Sequence, residues 1–279
     1  MAFDFHVHSV HSDGALTVDE LASLCVRQGL EGFALTDHDT ISGWREIPVA
    51  EEAYGITILP AVELSTEWEN RDVHILGFGI SPEERSFCEF LAALRNRRVE
   101  RIYKILDKIN GLGMELSYDD VAAESGGSVG RPHVALAMVK KGYVKDIGEA
   151  FAKYLERGKR CFVPRSHVTP TEAVDAVVKA RGCAVLAHPG LDQAYHVLDD
   201  LVDHGLKGLE VYHSSHHPGM EKKFFRMAEE YGLFISAGSD FHRLQDHSHA
   251  MLGTKYLEWE CMGAYYQQLI TERRKGIHV

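Results

Sequence analysis

Short apolar runs recur along this chain of 279 residues, separated by stretches of helical periodicity, and the runs end in or beside side chains able to ligate a metal. Seven runs read as strands: residues 3–8, 32–36, 57–62, 73–78, 184–187, 208–212 and 234–237. Between the first two, Thr17-Val18-Asp19-Glu20 forms a capping box that opens a helix with Leu21, Leu24 and Cys25 on its inner face, stopping near Gly29. Thr169-Pro170-Thr171-Glu172 repeats the device, with Gly182 as the stop. Strands alternating with helices require a parallel α/β sheet with crossover connections.

Successive runs start about 24 to 30 residues apart, except for the third and fourth, which lie closer together, and the fourth and fifth, between 78 and 184. Removing residues 81–165 restores the period, and that segment differs in charge from its surroundings. It holds 16 Lys+Arg against 12 Asp+Glu, whereas the remainder holds 14 against 29. The expected organisation is a discontinuous body made of residues 1–80 and 166–279, with residues 81–165 inserted as a small, basic helical domain. Within the insertion, 86–110, 117–124, 132–141 and 147–156 read as helices.

Composition narrows the class. With 45% hydrophobic and 25% charged residues, the chain is neither disordered nor collagenous nor a coiled coil. No stretch approaches ~20 apolar residues, and Met1-Ala2-Phe3-Asp4 lacks the basic-then-apolar order of a secretory signal, so a cytoplasmic protein with no membrane partner is expected. The five cysteines are dispersed, with no C-x-x-C pair, which excludes a disulfide framework and a zinc ribbon. The 17 histidines point instead to a metal.

The candidate ligands are His6, His8, His38, Glu63, His74, His188, Asp240 and His242, with Asp13 in the loop after the first run. In a parallel barrel the carboxyl ends of the strands meet on one face, so ligands placed there converge. His6 and His8 lie two apart on a strand and leave the same side of it. Ser12-Asp13-Gly14, Asp37-His38-Asp39 and Ser239-Asp240-Phe241-His242 add mixed nitrogen and oxygen donors, a set that Mn, Fe or Zn accepts.

These residues resemble the polymerase and histidinol phosphatase (PHP) superfamily of metal-dependent phosphoesterases. The resemblance is carried by Phe5-His6-Val7-His8-Ser9, Ser12-Asp13-Gly14, Leu35-Thr36-Asp37-His38-Asp39, Val62-Glu63, Val73-His74-Ile75-Leu76-Gly77, Ala187-His188-Pro189-Gly190 and Gly238-Ser239-Asp240-Phe241-His242. It implies a distorted (β/α)7 barrel holding two or three divalent metal ions. His6, His8, Glu63 and Asp240 would hold one ion, and Glu63 would bridge to a second on His74 and His188. Asp13, His38 and His242 would hold a third. His11 sits where the family motif places a small hydroxyl residue, beside Asp13.

Gly130-Arg131-Pro132-His133, with Ala150-Phe151 through Gly158-Lys159, resembles one branch of the family. That branch includes nucleotide 3′,5′-bisphosphate phosphatases and the 5′-to-3′ exoribonuclease RNase AM. By resemblance, Arg131 and His133 bind substrate phosphate, as the fit of a guanidinium fork to phosphate allows. Alignment to the branch also makes His216, in Tyr212-His213-Ser214-Ser215-His216-His217, a phosphate contact or catalytic proton donor.

The expected activity is therefore metal-dependent hydrolysis of the phosphate monoester of a small nucleotide, such as a 3′,5′-bisphosphonucleotide, by a metal-bridging hydroxide. The alternative is an exoribonuclease acting on short 5′-phosphorylated single-stranded RNA with the same metals. Amidohydrolase-type C–N hydrolysis and a non-catalytic metal-binding module are more remote. Arg97, Arg101, Lys104 and Lys108 share one helical face, which reads as a solvated surface or as a track for a nucleic-acid tail. Duplex DNA is not an expected partner, because the acidic barrel cannot supply the many cationic contacts it needs.

Overall fold

The computed structural model describes residues 2–164, 168–244 and 250–276. The expected domain boundary at 165/166 lies outside them, as do His167, His247, His249 and His278, which the sequence reads as surface or loop residues.

The strands are β1 (Ala2–Val7), β2 (Gly32–Leu35), β3 (Thr57–Trp68), β4 (Arg71–Phe78), β5 (Cys183–Leu186), β6 (Gly208–His213), β7 (Phe234–Gly238) and β8 (Leu257–Glu258). They form one sheet in the order β7-β6-β5-β4-β3-β2-β1-β8. The sheet curls until the segment after β7 meets β1: Asp240 N–H donates to His6 O at 2.9 Å, and His8 N–H to Phe241 O at 3.0 Å. The result is a nearly closed, distorted barrel. Its strands are buried along most of their length, as uninterrupted apolar runs require.

Two features depart from the expected parallel (β/α)7 pattern. β3 runs on to Trp68 and turns through Glu69 and Asn70, both at positive φ (48° and 61°), so β4 returns antiparallel to β3 and to β5. Positive φ at both central residues is what a tight two-residue hairpin demands. The short β8, absent from the predicted strands, pairs antiparallel with the start of β1.

The helices are α1 (Val18–Arg27), α2 (Ile47–Tyr54), α3 (Arg85–Asn110), α4 (Tyr118–Ala122), α5 (Arg131–Lys140), α6 (Ile147–Ala150, extended by a π turn), α7 (Pro170–Lys179), α8 (Leu198–Asp203), α9 (Pro218–Tyr231) and α10 (Ala264–Arg274). Both capping boxes form as their sequences predict. Helices α7, α8 and α9 pack their apolar faces on the outside of the sheet, and α10 closes the barrel floor by stacking Tyr266 on Phe5, ring centroids 4.0 Å apart. No helix among the described residues is long and apolar enough to cross a membrane.

Helix α3 belongs to two cores. Phe87, Leu91 and Leu94 join the barrel's apolar layer, whereas Ile102, Ile105, Leu106 and Ile109 join a separate core with α4, α5 and α6. The helical segment therefore stands over the barrel on a helix rooted in it.

Candidate metal centre

Glu63, near the middle of β3, is the hub of the site. Its Oε1 lies 2.8 Å from His74 Nδ1 and 3.0 Å from His188 Nε2. Its Oε2 lies 2.9 Å from His38 Nδ1, 3.2 Å from His8 Nε2 and 3.3 Å from His6 Nε2. Five imidazoles from four parts of the barrel thus face one carboxylate. His74 joins them only because β4 is reversed, which puts its first residues at the rim where the neighbouring strands end.

Asp240 faces the same pair of histidines from the opposite side of the barrel, with Oδ1 3.4 Å from His6 Nε2 and 3.2 Å from His8 Nε2. Asp13 Oδ1 lies 3.2 Å from His242 Nε2, and its Oδ2 lies 3.9 Å from His38 Nε2. Among the described residues four donor groups emerge: His6, His8, Glu63 and Asp240; His8, Asp13, His38 and His242; His38, Glu63 and His74; and His6, Glu210 and His213. His38 stands between two groups, offering Nδ1 to Glu63 and Nε2 towards Asp13.

The backbone is bent to deliver these ligands. Asp39, His188 and Asp240 all hold positive φ (54°, 25° and 56°) at strand ends, a conformation that costs energy in residues other than glycine and concentrates at functional sites. Gly238 is required for the same convergence, because a Cβ there would lie 2.2 Å from the His6 Cβ.

Electrostatics mark the centre as a well for positive charge. Burial would strip the protons from these imidazoles, yet Glu210, Glu63 and Asp240 hold His6 well above its usual value, and Asp240 with Glu63 raises His8 to about 10. At His38 burial wins, and the ring falls to about 4. Burial also opposes ionisation of Asp13, Glu63 and Asp240, but the surrounding imidazoles keep all three well below the ordinary carboxylate range. His6 Nε2, His8 Nε2, Asp13 Oδ1 and Glu63 Oε2 are buried without a hydrogen-bond partner. Buried polar atoms in a folded protein are rarely left so, and lone pairs aimed at common points fit divalent cations held by nitrogen and oxygen donors.

Glu210 and Arg98 escaped the sequence reading, and with other residues outside the expected ligand sets they support the site. Glu210 in β6 accepts from His6 Nδ1 at 3.1 Å and from the His188 backbone N–H at 2.6 Å. Asp37 accepts from Ser9 N–H, Ser9 Oγ and Ser12 Oγ at 2.7–2.8 Å, fixing the loop that carries Asp13. Arg98 of α3 donates to the Asp39 carboxylate and, at 2.6 Å, to Ser65 Oγ, tying the insertion to the segment that carries His38. His11 is held by Glu46 at 2.8 Å and Ser42 at 3.0 Å.

The expected substrate contacts are placed differently from one another. Arg131, the first residue of α5, pairs with Asp72 at 2.9 Å, and Asp72 lies two residues before His74 on β4. His133 is buried two residues on, its Nδ1 accepting the Gly130 N–H at 2.9 Å. His216, expected as a proton donor or phosphate contact, lies within hydrogen-bond reach of two backbone groups. Its Nδ1 donates to Val211 O at 2.9 Å and its Nε2 accepts the Gly190 N–H at 3.1 Å. Burial lowers it to about 4, so the ring is neutral with both nitrogens engaged, stitching β6 to the turn after β5.

A family model described as the PHP domain matches residues 4–273. The chain is 34% identical over 248 residues to a 5′-3′ exoribonuclease of Haemophilus influenzae, covering 86% of this chain and 89% of that protein. It is 35% identical over 246 residues to a 3′,5′-nucleoside bisphosphate phosphatase of Chromobacterium violaceum, covering 86% of each. Among solved structures, a Bifidobacterium adolescentis protein described as a metal-dependent phosphoesterase superposes with a TM-score of 0.87 at 29% identity, over 97% of this chain and 96% of that one.

Proposed function

The chain belongs to the PHP family of metal-dependent phosphoester hydrolases, and from that premise we propose that it removes a phosphate from a small phosphorylated nucleotide such as a 3′,5′-bisphosphonucleotide. The observation that carries this reading is Glu63 among five imidazoles, with the lone pairs of His6, His8 and Glu63 itself left unmatched.

His6, His8, Glu63 and Asp240 would hold one divalent ion, Glu63 with His74 and His188 a second, and Asp13, His38 and His242 a third. Mn, Fe and Zn all suit such a donor set. Bound there, the ions supply Lewis acidity, lowering the pKa of water towards ~7 and neutralising phosphoryl charge. Three divalent ions against Asp13, Glu63 and Asp240 leave a net charge of +3, which favours a phosphate dianion over a neutral amide. Arg131, seated on Asp72 beside His74, and His133, packed behind it, orient the phosphoryl group. His216 acts as a positioning residue: it holds the turn after His188 and keeps its proton on the nitrogen facing Val211.

A second reading, 5′-to-3′ exoribonuclease, is supported by the Haemophilus influenzae relative. The two differ in whether the leaving oxygen belongs to a mononucleotide or to the next nucleotide of a chain. Hydrolysis of a 3′,5′-bisphosphonucleotide is to be compared with that of a short 5′-phosphorylated RNA, with Mn added. Preference for the bisphosphonucleotide is expected; preference for the RNA would overturn the first reading in favour of the second.

A further inference from the structure

Beside the centre, a cleft of about 560 Å³ is lined by Glu69, Asn70 and Arg71 of the β3–β4 hairpin, Gly190 and Gln193 of the turn after β5, and Arg157 of the insertion. It adjoins the site through two elements. Gly190 follows His188 by two residues, and Arg71 precedes His74 by three, about 10 Å along an extended strand.

The cleft's cations have little to satisfy them. Among the described residues Arg71 reaches only Gln193 Oε1, at 3.5 Å. Arg157 has no hydrogen bond or ion pair among the described residues and lies over the Phe162 ring, 5.3 Å from its centroid. The guanidinium of Arg131 lies over the same ring at 5.9 Å. Phe162 therefore joins the cleft to the arginine beside Asp72, and a cationic path runs from His74 through Arg131 and Arg157 to Arg71. Among the described residues Glu69 is the one carboxylate in the lining, beside two arginines.

We infer that this cleft is a second phosphate subsite, in which Arg71 and Arg157 hold a phosphoryl group of the substrate other than the one hydrolysed. The inference rests on the phosphoesterase reading above and narrows it to substrates carrying two phosphates one nucleotide apart. The ligand is a phosphate flanking the reacting one, whether the far monoester of a bisphosphonucleotide or the next diester of a short RNA. Guanidinium groups suit it because they present paired donors to phosphate oxygens and stay charged at all working pH values.

The test compares wild type with the double variant R71Q/R157Q, using K179Q on exposed α7 as a control for lost surface charge. The ratio of kcat/KM for a 3′,5′-bisphosphonucleotide to that for p-nitrophenyl phosphate is expected to fall at least tenfold in R71Q/R157Q and to hold in K179Q. An equal loss on both esters, or an equal fall in K179Q, overturns the subsite. Equilibrium binding of the bisphosphonucleotide and of a 5′-phosphorylated dinucleotide to metal-stripped protein supplies a readout independent of turnover. Weakening of either by tenfold or more in the double variant supports the subsite and identifies which ligand uses it, and unchanged binding of both overturns it. If wild type hydrolyses neither ester, the phosphoesterase reading fails while the binding measurement still decides the cleft.

Discussion

Glu210 faces His6 across the barrel, its Oε1 3.1 Å from His6 Nδ1. A carboxylate only accepts, so this contact places the His6 proton on Nδ1 and leaves Nε2 as a lone-pair donor aimed at Glu63 and Asp240. Glu210→Gln keeps the shape but cannot serve both His6 Nδ1–H and the His188 backbone N–H as an acceptor. Metal affinity is expected to fall by about 10–100-fold with the fold retained, measured by titration against a competing chelator. Wild-type affinity in the variant would show that the contact does not organise the ligand.

Glu63→Ala removes the oxygens that five imidazoles share. Metal content per chain is expected to drop, and turnover of an aryl phosphate to fall by at least about a hundredfold. Elemental analysis beside a steady-state assay reads both, and full activity with metal still bound would refute the assignment.

Metal uptake should release protons. In the metal-free protein the carboxylates around His8 overcome burial and raise it to about 10, yet a ligating imidazole must be neutral. Affinity is therefore expected to rise with pH across the neutral range, with net proton release at pH 7 seen by calorimetry in buffers of different ionisation enthalpy. Folding of the metal-free form carries the opposite sign. Because the folded value is raised, the stabilisation is full below the unfolded value near 6.5 and is lost as pH climbs towards 10, which thermal melts in chelator would record.

His216→Asn tests the positioning role. Losing the bridge between Val211 and Gly190 is expected to cost about 1–3 kcal/mol of stability. The alkaline limb of the kcat profile should remain; its disappearance would restore His216 as a proton donor. In wild type the depressed folded value makes this ring's contribution complete above about 6.5 and progressively lost as pH falls towards 4.

Arg98→Ala removes the guanidinium that α3 extends to buried Asp39 and to Ser65. Breaking a buried ion pair by deleting one partner costs about 3–5 kcal/mol, to be read by urea denaturation. Arg98→Lys should recover only part, because an ammonium lacks the fork that reaches both acceptors.

The clustering of candidate ligands was legible in the sequence because an H-x-H pair, an Asp-His-Asp triplet and an Asp-Phe-His triplet each sit where an apolar run ends. The reversal of β4 was less visible, since an apolar run carries no direction. It had a signal all the same: residues 63–72 are too few for a parallel crossover, and Glu69-Asn70 suits a tight turn. Glu210 was missed because one acid in a predicted strand resembles a solvent-facing position, and it gains meaning only once both faces of β6 are known to be covered. His216 reads like its neighbours in a histidine-rich stretch. Only coordinates reveal that both edges of its ring are engaged.

The reversal of β4 also determines where the chain leaves the barrel. Since β4 starts at the rim, it ends at the floor, where Ser81 N–H bonds to the carbonyl of Ala180 at the foot of α7. The 26-residue α3 must climb the outer wall, and at about 1.5 Å per residue it spans about 39 Å, with Arg98 arriving level with Asp39 near its midpoint. The helix is a ruler: its length sets how far the insertion's own core stands from the barrel in which the helix is rooted.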